Sequence, residues 1–229
     1  MSKDVSDWKA ALKNTAQRQT QEGVGEGMKY ISLAGGLMSI GDDIIPNNTL
    51  ECVILGSVIE RSWYDRPYNP DDKSGPDCFA IASFKDNLAP HVDVPSPPCD
   101  SCGACPKAEF GTALQGKGPA CKTRQRLIVM PTPATPEAVA DGDLAMLKVP
   151  PTSVTNYTRY IRALGSNTQS FWSVATMIKA APHPKKQLEV TFTLAKPLPE
   201  GIIAAVYARL PEAESEANAP LQVKDPAAA

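Results

Sequence analysis

LECVILGSVIE, residues 50–60, is an apolar run rich in β-branched side chains and bounded by turn residues, and it marks the chain as a β protein. Shorter runs of the same kind flank it: KYISL from Lys29, LMSI from Leu37, DIIP from Asp43 and CFAIASF from Cys78, separated by Gly, Asn, Asp and Pro. Regularly spaced short strands predict a barrel or a sandwich, mainly β with some helix. The 22 prolines among 229 residues are about double the usual share and favour loops and short strands over long helices.

Two further strands are predicted downstream, RLIVMP from Arg126 and LAMLKVP from Leu144, with a loop between them over PTPATPEAVADGD. Ser153 is placed to cap a helix from Val154 to Leu164 that carries Val154, Tyr157, Ile161 and Leu164 on one face. SFWSVATMIKAA and KKQLEVTFTLA then read as a hairpin around the turn APHPKK. Tyr157, Tyr160, Phe171 and Trp172 cluster near the helix, most of them as core.

The ends differ in kind. Residues 1–27 read as an N-terminal helix or arm, with Trp8, Ala11, Leu12 and Ala16 at helical spacing and Gly23, Gly25 and Gly27 stopping it. The stretch GVGEG follows a helix instead of a strand and lacks the Lys-Ser/Thr of a phosphate-binding loop, so it reads as a linker. Residues 211–229 are rich in Ala, Glu and Pro and poor in large apolar side chains, which predicts a disordered acidic tail. Residues 28–210 form the folded domain between these ends.

The opening MSKDVSDWKA has no apolar core of a secretory signal, and no run is apolar and long enough to cross a bilayer. A soluble, cytosolic protein without a membrane partner is expected. Of six cysteines, four crowd together as Cys99-x2-Cys102-x2-Cys105-x15-Cys121, against the even spread of a disulfide framework. Paired cysteines two residues apart, closed by a fourth ligand across a loop, suit tetrahedral zinc, and Gly103, Gly111, Gly116 and Gly118 supply tight turns. The predicted zinc loop spans 89–122. Cys102, Cys105 and Cys121 anchor the ligand set, with Cys99 as the fourth ligand and His91, or Cys78 after it, as alternatives. The C-x2-C-x2-C-Pro order also fits an iron–sulfur cluster, which stands as the alternative cofactor. A zinc deaminase would need Pro-Cys-x-x-Cys and a Glu two residues after its His or Cys ligand. Here Cys105-Pro106 reverses that order and neither His91 nor Cys99 has such a Glu. With His183 the only other histidine, no nucleophile–base arrangement exists, so a non-enzymatic protein with a structural metal is expected.

Net charge is −2, so any polyanion site must be local. Lys122, Arg124 and Arg126 share one face if the segment is extended, and with Lys117 they form a basic strip suited to phosphates. Lys185 and Lys186 add charge at the hairpin tip. In the polar loop after residue 62, Trp63, Tyr64 and Tyr68 flank Arg66, which reads either as a base-stacking platform or as a turn packed on its own aromatics.

The runs WYDRPYNPDDKSGPDCFAIASF, LAPH, CGACPKAEFGTALQGKGPACKTRQRL, PTSVTNYTRYIRAL and SVATMIKA resemble a family of tailed-bacteriophage proteins encoded among replication and recombination genes. That family is in turn similar to the phage single-stranded-DNA-binding proteins. The resemblance spans Met28 to Leu210 and is most specific from Cys102 to Arg126. It implies an OB-like β-barrel with the zinc loop as an insertion, and non-specific single-stranded-DNA binding during phage replication or recombination. It also implies phage replication or recombination proteins as partners, in the cytoplasm of the bacterial host. The chain departs from this pattern in ending KDPAAA instead of in a dense acidic run. The alternative function is a phage structural or host-interaction adaptor with a structural zinc.

Overall fold

The computed structural model describes residues 28–67, 74–184 and 187–221. The expected N-terminal arm, Tyr68, Lys185, Lys186 and residues 222–229 lie outside them. Nine strands are described: β1 (Lys29–Ser32), β2 (Ser39–Ile40), β3 (Asp43–Ile44), β4 (Thr49–Trp63), β5 (Cys78–Ala82), β6 (Lys122–Pro131), β7 (Ala145–Val149), β8 (Val174–His183) and β9 (Gln187–Pro197). Three α-helices accompany them among the described residues, α1 (Pro136–Ala140), α2 (Val154–Ser166) and α3 (Glu200–Asn218). The fold is mainly β: one sheet curled into a half-barrel, in the order β3-β2-β1-β7-β6-β4-β8-β9, with β5 also paired to β4. All pairings are antiparallel except β1 with β7.

The apolar run 50–60 forms the middle of β4. Alternation sends Cys52 and Ile54 to one face and Val53 and Leu55 to the other. The register against β6 then shifts between Ile54 and Gly56, so that Ser57 returns to the first face and Val58 to the second. On the first face, α2 lays Tyr157, Tyr160 and Leu164 on Leu127, Leu147, Ile178 and Phe192. On the second, α1 and α3 cover Ile128, Met130 and Met146 with Val139, Ile202, Val206, Ala213 and Ala217. Both faces are therefore packed, and each large side chain so buried contributes about 1.5–3 kcal/mol.

Three expectations are corrected. The loop between β6 and β7 contains α1, begun by Pro136 and capped by Thr135, whose Oγ1 accepts a hydrogen bond from the Ala138 amide at 3.3 Å. Ser153 does not cap α2 with its side chain, because its Oγ instead accepts from the Val190 amide of β9 at 2.9 Å. Residues 211–218, expected within a disordered tail, are the second half of α3, with Ala213 and Ala217 fully buried. Alanine is the best helix former, and alanines four apart let a helix lie close to a sheet, a signal that a count of large apolar side chains misses.

Candidate metal centre and binding cleft

None of the six cysteines is disulfide-bonded. Cys52 is buried in β4, strand β5 places Cys78, and the long loop from β5 to β6 carries the other four. The loop is knitted by backbone bonds from Cys102 N to Leu88 O (3.3 Å), Ala108 N to Cys105 O (2.9 Å) and Cys121 N to Lys107 O (2.7 Å). Thr112 Oγ1 accepts from Ala120 N and donates to Glu109 O. Positive φ at Gly111 and Gly116 makes the turns between. Cys78, Cys99, Cys102, Cys105 and Cys121 line one cavity with Arg61, Trp63, Phe79 and Lys107. Its void is about 10 Å³, room for one water or one ion.

Burial is the main cause that raises the Cys78 thiol to about 12 and the Cys121 thiol to about 11; neighbouring sulfurs add to it at both, and the charge of Arg61 opposes it at Cys121. Burial also raises Cys102, against the opposing charge of Arg61. Among the described residues no group of three or more His, Cys, Asp or Glu side chains is placed to hold a metal ion. The thiols share the cavity without meeting at a point. The donor set nonetheless suits a soft thiophilic ion: sulfur ligands, an ion-sized void, and two cations, Arg61 and Lys107, on its wall. His91 is absent from that lining. Its ring stacks on Phe79 at 4.6 Å and its Nδ1 accepts from the Asp93 amide.

The basic strip keeps its period but not its exposure. In the β4–β6 register Lys122, Arg124 and Arg126 stand opposite Ser62, Glu60 and Val58, on the face that α3 covers. Arg126 is 1% exposed, bound through Nε and Nη2 to Glu60 Oε2 (3.0 and 2.6 Å) and through Nη1 to the Ala217 and Ala219 carbonyls. It cannot meet a phosphate there, which corrects its assignment as a nucleic-acid contact. Arg124 donates to Ser62 Oγ at 3.2 Å and Lys122 Nζ to Pro119 O at 2.7 Å, both half-buried, while Lys117 is exposed.

In the polar loop, Arg66 donates to Asp77 Oδ2, to Gly75 O and to Ser74, and lies over the Tyr64 ring at 5.4 Å. Lys107 Nζ stands 4.6 Å from the centre of the Trp63 ring. Trp63 and Tyr64 are thus engaged by the protein's own cations.

No known protein family, curated protein or solved structure matches this chain.

A second feature has no motif in the sequence. Strand β6 pairs along one edge of β4, from Cys52 to Ser62. On the other edge β8 covers 49–52 and β5 covers 59–63, so 53–58 has no strand partner there among the described residues. A cleft of about 570 Å³ opens at this gap. Tyr157, Ile161 and Arg162 of α2 form one wall, Leu210 and Glu214 of α3 the other, and Phe84, Phe171 and Trp172 flank the gap. On its floor Ser57 Oγ accepts from Tyr157 Oη (2.7 Å) and from Gln125 Nε2 (2.9 Å). The break in the apolar run at Gly56 and the terminal Phe84 of CFAIASF are the available signals, and neither carries meaning until β5 and β8 are known to leave β4 between them.

Proposed function

We propose that this is a non-enzymatic single-stranded-DNA-binding protein, an elaborated OB-like half-barrel of phage type, which holds a strand in the cleft beside Gly56 and is braced by a structural zinc. The observation that carries the reading is the cleft itself: an open groove flanked by Phe84, Phe171 and Trp172, with Arg162 on its wall. Aromatic faces stack on any base, and an arginine beside them supplies the phosphate contact, which is what sequence-independent strand binding requires. Arg159, one turn before Arg162, is likewise exposed, and neither makes an ion pair among the described residues. Lys117 is a further exposed cation on the cysteine loop. Zinc would be held by Cys99, Cys102, Cys105 and Cys121 and would act as a crosslink, supplying no reaction. Visible absorbance in the purified protein would identify an iron–sulfur cluster instead.

The test is binding to single- and double-stranded oligonucleotides across a salt series. Affinity for the single strand should fall with salt, and R159E/R162E should reduce the log–log slope by about 0.7 for each phosphate that is no longer neutralised. Absence of single-strand binding at low salt would refute the reading.

One observation favours the adaptor alternative. Val92, Phe110 and Leu114 are 92%, 82% and 61% exposed on the cysteine-bearing segment, an apolar set unusual for a surface with no partner. On that reading F110D and L114D abolish co-sedimentation with a protein partner, and the wild type shows no single-strand binding at low salt.

A further inference from the structure

The zinc site proposed above leaves one group on the cavity wall unexplained. Arg61 lies on the face of β4 that Ile59 also occupies, directed to the cysteine loop. Its Nη1 donates to the Cys102 carbonyl at 2.6 Å, which fixes the knuckle between Cys102 and Cys105 to the central strand. Its Nε is buried and has no hydrogen-bond partner. A buried guanidinium N–H left unpaired forfeits its hydration with nothing in return, so its retention at a wall of thiols requires an acceptor. Among the residues lining the cavity, the side-chain acceptors are all sulfurs. Thiols accept weakly, whereas metal-bound thiolates are anionic and accept well. A zinc ion with four thiolates carries a net charge of about −2, which the two cations on the wall, Arg61 and Lys107, would offset.

We infer that Arg61 is a positioning residue of the metal site: Nη1 holds the Cys102 backbone while the Nε–H donates to a thiolate of the loaded centre. This inference rests on the metal reading and adds to it a residue forty-one positions from Cys102 that no ligand spacing would point to. Partners of this kind set the orientation and charge of the ligands, and losing them costs about 10- to 100-fold in metal affinity. Charge alone does not suffice, because a lysine at this position would keep the charge and lose the planar fork.

The experiment uses the full chain and zinc itself. Zinc affinity is measured by competition with a chromophoric chelator for the wild type, Arg61→Met and Arg61→Lys, with circular dichroism confirming the fold. Both variants should lose about 10- to 100-fold. Wild-type protein loaded with cadmium-113 should show scalar coupling between the metal and the Arg61 Nε proton, a readout that needs no variant to fold. If the wild type takes up neither metal, the metal reading falls and this inference with it. If the wild type binds zinc and Arg61→Met binds it equally, or Arg61→Lys restores full affinity, or the coupling is absent, the inference falls while the metal reading stands.

Discussion

Glu60 shows what one residue can decide. It is 1% exposed in the middle of the sheet, with Arg126 at 2.6 Å, Lys148 at 3.2 Å and Arg124 at 4.0 Å. Burial pushes its carboxyl up, but Lys148 and then Arg126 outweigh burial and hold it below its ordinary 4.5. Lys148 moves down as well, because burial disfavours its charge more than Glu60 favours it. The surplus positive charge is met by the Ala217 and Ala219 carbonyls at the end of α3, where the helix dipole is negative. Glu60→Gln leaves Arg126 buried without its counter-charge and should cost about 3–5 kcal/mol in urea unfolding. A carboxyl depressed in the folded state contributes stability above its unfolded value and loses it as pH falls through the folded one. Wild-type stability should therefore decline below about pH 4.5, and Glu60→Gln should lack that part of the decline.

At the scale of elements, two corrections share one cause. Period two in the sequence places Lys122, Arg124 and Arg126 on one face of a strand, and β6 has that face. Whether such a face meets water depends on what packs over it, which no local pattern encodes. The cover is α3, whose second half resembles a solvated tail because its packing residues are alanines. The helix lies close enough that a Cβ at Gly56 would be 3.0 Å from the Ala213 carbonyl oxygen and 3.2 Å from Ile128 Cγ1. Gly56→Ala should thus lower stability by about 1–3 kcal/mol, read as a lower melting temperature, by prising α3 from β4. The strands, by contrast, are legible, since β-branched runs between turn residues mark them locally. The cysteine cluster is legible from spacing, but Arg61 and Cys78 reach the same cavity through strand pairing, which spacing cannot supply.

Over the whole molecule, stability and the candidate metal centre are separable. The two large cores lie on the faces of the sheet, and the cysteine loop rests only on small clusters around Ala80, Ala82 and Leu88 and around Phe79 and Val94. Removing a metal should therefore leave the far-UV spectrum of the sheet unchanged while opening the loop to trypsin at Lys107 and Lys122, and zinc should restore protection. The same loop reaches the cleft by a short path. Cys102 N is bonded to Leu88 O, and Leu88 closes the turn that begins after Phe84, which flanks the cleft. If strands bind there, chelation should weaken oligonucleotide binding by the same factor as Phe84→Ala, about 5- to 100-fold for one base left unstacked. Chelation of the Phe84→Ala variant should then add nothing further. Independent, multiplying losses in fluorescence-anisotropy titrations would place the metal's influence on binding somewhere other than the cleft.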